Sequence, residues 1–115
     1  MVTSPENQAR LMQQVSPDEF MRGAIDLHYH CYPDVGLGVH MRVEDAEALR
    51  GARDMGMRGL VLKSHLWPTT GQAYLLRQQV PGIEVWGGMT LDVSSGGLSP
   101  WAVAAGAAQG AKVGW

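Results

Sequence analysis

An α/β fold built around a parallel sheet is what this sequence predicts, and three observations carry the prediction. From Gly23 onward, short apolar runs alternate with runs of helical spacing. Clusters of glycine, proline and serine separate them where the period changes. Side chains with chemistry gather where apolar runs end, at His28, His30, Lys63, His65 and Asp92. The C-terminal ends of parallel strands are where β/α proteins place such groups.

Residues 1–22 read as an N-terminal helical segment. Ser4-Pro5-Glu6 and Ser16-Pro17-Asp18-Glu19 each put a serine cap before a proline in the first turn, with an acid behind it. Two short helices are expected ahead of the first strand, closing the bottom of the fold. Ala24 to His30 then reads as a strand, in which Ile25, Leu27 and Tyr29 alternate with Asp26, His28 and His30. Strict alternation sends the apolar set toward outer helices and the polar set inward.

The segment 31–40, rich in proline and glycine, is a loop. Val43 to Met55 follows with Ala46, Leu49, Ala52 and Met55 at helical spacing, acids early and arginines late, and Gly56 or Gly59 as the stop. Gly59 to His65 is apolar enough for a strand buried on both faces. Thr69 or Thr70 caps a helix to about Gln79, and Ile83 to Leu91 is the third strand. Ser99-Pro100 opens an alanine-rich helix from Trp101 to about Gln109, and Ala111 begins a fourth strand.

Strands and helices that alternate in this way return each helix to a new parallel strand by right-handed crossovers. At 115 residues the chain is well below the roughly 250 of a complete eight-stranded β/α barrel. The expectation is the first three to four β/α units of a TIM-type (β/α)8 barrel over residues 23–115, truncated before its second half.

Composition excludes several classes of function. Hydrophobic residues are 45% and charged residues 17% of the chain, enough apolar material for a packed core. The net charge of -2 and scattered basic residues provide no stripe for a nucleic-acid backbone and no basic helix for a membrane surface. The single cysteine, Cys31, permits no internal disulfide, and no apolar stretch of membrane-spanning length or signal-peptide pattern is expected from the sequence. A cytoplasmic protein acting on a small molecule is expected.

His28 and His30 share one face of a strand end, which brings two imidazoles within reach of one cation. Asp26, two positions earlier, is placed to orient one of them from behind. Lys63 and His65 repeat the spacing at the end of the second strand. His65 is the candidate third metal ligand. Lys63 is a candidate catalytic group, provided that it is deprotonated, carbamylated or turned toward substrate, since an ammonium is repelled by a divalent ion. Asp92 follows the third strand as a ligand, a base or a loop cap, and His40 is a candidate substrate contact on the same rim. Cys31 lacks a dedicated base and reads as a bystander. Gly87-Gly88 and Gly96-Gly97 fit no phosphate-binding fingerprint. Met55 and Met57 read as core filling, and Trp86 and Trp101 as packing or pocket wall.

The run Gly23-Ala-Ile-Asp-Leu-His-Tyr-His-Cys-Tyr-Pro-Asp34 resembles the first strand of the amidohydrolase superfamily, which carries D-x-H-x-H with both histidines on metal. Val61-Leu-Lys-Ser-His65, Gly87-Gly-Met-Thr-Leu and Gly96-Gly-Leu-Ser-Pro100 resemble later strand ends of one branch of that superfamily. The resemblance covers about residues 22–115. It implies a distorted β/α barrel holding one or two divalent ions, with zinc first and manganese or iron as alternatives. The implied reaction is hydrolysis of an amide, ester or related bond by a metal-activated water. The superfamily's later histidines and its aspartate base have no counterpart in this sequence. Two other readings stand beside it. One is a metal phosphoesterase like histidinol phosphatase, for which Glu84 is poorly placed. The other is a non-catalytic half-barrel that pairs with itself or with a missing C-terminal half.

Overall fold

A computed structural model of the chain describes residues 4–12, 16–32, 34 and 43–115; His40 lies outside them. Helices α1 (Pro5–Met12) and α2 (Pro17–Met21) lead into β1 (Ile25–His30). Then α3 (Asp45–Asp54), β2 (Gly59–Lys63), α4 (Thr70–Gln79), β3 (Glu84–Met89), a 3-10 turn (Val93–Ser95), α5 (Pro100–Ala108) and β4 (Ala111–Gly114) follow. The four strands form one all-parallel sheet in the order β1-β2-β3-β4. The expected α/β architecture is therefore present, and no helix among the described residues is long and apolar enough to cross a membrane.

Local signals explain most boundaries. Ser16 Oγ accepts the Glu19 amide at 3.2 Å, and Ser99 Oγ accepts that of Ala102 at 3.4 Å, so the serine-proline starts of α2 and α5 work as caps. α4 starts where expected, with Thr69 at the cap position, but the Thr69 side chain makes no cap hydrogen bond. Its hydroxyl instead donates to Leu62 O at 2.7 Å and accepts the Gly88 amide at 2.9 Å, bridging the ends of β2 and β3.

A sheet that adds every strand on the same side, with crossovers of one hand, carries its helices on one face. On that face Leu60, Leu62 and Val85 pack against Leu49, Ala52, Ala73 and Leu76 from α3 and α4. Leu49 and Leu62 are completely buried. The other face is covered by large rings resting on glycine. A Cβ on Gly59 would lie 2.5 Å from the Trp86 ring, and one on Gly88 would collide with the ring of Trp115. Val61, between these positions, is buried as well. Burial on both faces accounts for the continuous apolar reading of β2.

β1 departs from strict alternation. Asp26 pairs with Leu60 and Tyr29 with Leu62, so three steps of β1 span two steps of β2. Register partners in a sheet point the same way, which puts Asp26 and Tyr29 on the helix face. His30 pairs with Lys63 on the opposite face. The extra residue is a β-bulge, and Asp26 braces it by accepting the His28 amide at 2.8 Å. The expected common face for Asp26 and the two histidines is thus corrected: the bulge separates them.

Packing is thin at α5. Its residues are apolar on every side, yet only Gly106, lying against Met89, is buried. Trp101, expected as packing or pocket wall, is 85% exposed, with Leu98 and Val93 similarly uncovered. Met55 is partly exposed, whereas Met57 packs on the core.

Candidate metal centre

The C-terminal ends of β1 and β2 place His30 beside both His28 and His65. Nε2 of His28 and Nε2 of His30 are 3.1 Å apart. The His30 and His65 rings stack at 4.5 Å between centroids. Two nitrogen ligands at about 2.0–2.1 Å on a tetrahedral ion stand roughly 3.3 Å from each other, so the first pair converges as a chelate does.

The residue that organises the cluster is Asp34. One oxygen, Oδ2, lies 2.8 Å from Nδ1 of His30 and 2.8 Å from Nδ1 of His65. The other, Oδ1, accepts the His65 amide at 3.2 Å and the Ser64 hydroxyl at 3.4 Å. An ionised carboxylate only accepts, so both rings present an N–H at Nδ1 to it, which leaves Nε2 as the ring atom available to a metal. Burial pushes the Asp34 carboxyl up, but the hydrogen bonds from His30 and from the amide and ring of His65 outweigh it and hold the group below its ordinary range. Ligand atoms of His30, Asp34 and His65 all lie within 4.8 Å of one another. Sequence reasoning gave Asp34 no role. The available signal was its place four residues beyond His30, at the end of the Cys-Tyr-Pro-Asp run.

Hydrogen bonds fix both loops that carry these groups. Cys31 N–H donates to Lys63 O at 3.0 Å, and the buried Asp45 accepts the Tyr32 amide at 2.8 Å and the Tyr29 hydroxyl at 3.2 Å. Gln72 donates to both Asp45 and Tyr32 O, tying the loop to α4. Burial raises the Asp45 carboxyl against these donors. It also raises the Tyr29 hydroxyl, and Asp45 adds to that. Beyond β2, Thr90 Oγ1 donates to His65 O at 3.2 Å and Ser95 Oγ to Leu66 O at 2.6 Å. His65 is therefore held from the third strand as well as by Asp34.

The other sequence candidates separate. Asp26 braces the bulge and bonds neither ring. Lys63 lies on the histidine face, its Nζ 5.8 Å from the centroid of the Trp115 ring, and that ring is 5.6 Å from His28. Desolvation, then the charges of Lys63 and His30, hold the His28 imidazole below its ordinary value. Asp92 caps the 3-10 turn, accepting the Ser94 amide at 3.0 Å and hydroxyl at 2.9 Å, and those bonds lower its carboxyl. Cys31 is fully buried, its thiol pushed up to about 12, first by desolvation and then by Asp45 and Asp34. Glu84, at the other end of the sheet, pairs with Arg58 at 3.4 Å. A cleft of about 490 Å³ lined by Met21, Ile25, Asp26, Met55 and Leu60 also lies away from the histidines.

No curated protein and no solved structure matches this chain. Residues 23–115, which hold the whole sheet and all of the cluster, match the model of a family of unknown function, DUF6282, and the chain belongs to that family.

Proposed function

We propose that this chain carries the metal centre of a hydrolase resembling the amidohydrolases, on a sheet that forms the first part of a β/α barrel. The carrying observation is the convergence of the His28 and His30 Nε2 atoms, with Asp34 fixing Nδ1 of both His30 and His65. His28, His30 and His65 are the ligands, and Asp34 sets the tautomer and direction of two of them, as carboxylates behind metal-bound histidines do. Nitrogen donors suit zinc first, with manganese or iron as alternatives. A divalent ion held there supplies Lewis acidity and lowers the pKa of water from 15.7 to about 7, which makes an attacking group available at neutral pH. Asp34 fixes the ring orientation of His30 and His65 through their Nδ1 atoms, the bulge in β1 aims His28, and Thr90 with Ser95 holds the His65 loop. The substrate class is a small molecule with an amide, ester or related bond. The one-directional strand order supports the barrel, whose interior face would be the one carrying the histidines.

Metal analysis of the purified chain tests the reading. The wild type is expected to hold a transition metal that His28→Ala/His30→Ala loses. Equal metal content in the two proteins would refute the assignment. The exposed apolar surface of α5 favours one addition: a further element packs there, from the same or another chain. Sedimentation of the purified protein checks for self-association.

A further inference from the structure

Lys63 ends β2 on the histidine face, in register with His30. Among the described residues no carboxylate oxygen lies within 4 Å of its ammonium. Asp34 is engaged by the two rings and Asp92 by Ser94. The Trp115 ring, seated on Gly88, borders both Lys63 and His28. A divalent ion on the histidines and an ammonium on the next strand repel each other, and the one carboxylate in the cluster does not neutralise both. A negative group between them would satisfy the two charges at once, with the indole as a wall beside it.

We propose that Lys63, flanked by Trp115, binds an anionic group of the substrate, a carboxylate or a phosphate. The inference rests on the metal-centre reading and specifies which molecules that centre takes. Substrates would be hydrolysable compounds bearing an anion one residue's reach from the scissile bond. Lys63 acts in it as a binding residue with a positive charge and not as a base.

The test uses the full chain loaded with zinc and titrated calorimetrically with inorganic phosphate and, separately, with acetate. Wild type is expected to bind at least one probe, and which one it binds distinguishes phosphate from carboxylate. Lys63→Gln should weaken binding about tenfold, the scale of one charged hydrogen bond, while zinc content stays constant. Lys63→Arg should restore most of it. If Lys63→Gln does not fold, Lys63→Met, which keeps an unbranched stem, takes its place. Wild-type affinity in the neutral variant at equal zinc content overturns the proposal and leaves the metal centre standing, as does binding of neither probe. If wild type takes up no zinc, the metal reading fails. Titration of the metal-free proteins then decides the Lys63 site by the same comparison.

Discussion

Asp34 offers the sharpest test of how the centre is built, because its two oxygens do separable work. Asp34→Ala removes the acceptor for two ring N–H groups, the His65 amide and the Ser64 hydroxyl. Bonds to a charged acceptor contribute about 1.5–3 kcal/mol each, but the His65 ring is nearly half exposed and Ser64 is at the limit of bonding distance. The expected loss is about 2–3 kcal/mol, read as a urea midpoint shift in chelator-treated protein. Asp34→Asn keeps one oxygen for the His65 amide and Ser64 but turns an NH2 toward the two ring donors. It should lose less stability than the alanine variant. Both variants should bind zinc about 10–100-fold more weakly in a competing-chelator titration, since neither holds both lone pairs on the metal side. Zinc affinity at the wild-type level in Asp34→Asn would refute the orienting role. The pH dependence has a definite sign. A carboxyl whose folded pKa lies below its unfolded value of about 3.9 stabilises the fold above that pH. Its contribution is lost as pH falls through the folded value, so the midpoint difference between wild type and Asp34→Ala should shrink on acidification below about pH 4.

Leu62→Ala empties a completely buried position between α3 and α4 and should cost about 2–5 kcal/mol in denaturant unfolding. Cys31, buried with its thiol pushed up to about 12, should react with a thiol reagent at pH 8 only as fast as the protein opens. Labelling at the rate of an unfolded peptide would contradict that burial. Gly88→Ala places a methyl where the Trp115 ring sits. The ring should be displaced, shifting its indole N–H resonance, with about 1–3 kcal/mol lost to overpacking.

Much of the framework was legible because period and punctuation agree. The serine-proline starts, the apolar run of β2 and the late glycines each carry one physical meaning, and the helices and strands follow them. The histidine pair was legible because two residues at i and i+2 of a strand end still approach each other when the extra step lies just before and at His28. Asp26 was misplaced because it lies before the extra residue, and nothing in an alternating hexapeptide announces one. Asp34 sits in a loop without periodicity, so its link to His65 on another strand is visible only once β1 and β2 are adjacent. The exposure of Trp101 was likewise hidden, because an alanine-rich helix has no polar face to show which side is uncovered.

The register breaks have a consequence for behaviour at high concentration. Both strands at the margins of the sheet are irregular. β1 has its extra step between Asp26 and Tyr29, and β4 skips Lys112 between the partners of Gly87 and Gly88. A straight, regular margin is a template on which other chains stack into fibrils, whereas a bulge twists the hydrogen-bonding groups out of line and a lysine penalises close approach. The extra step that aims His28 in β1 therefore also makes that strand a poor template for chains of its own kind.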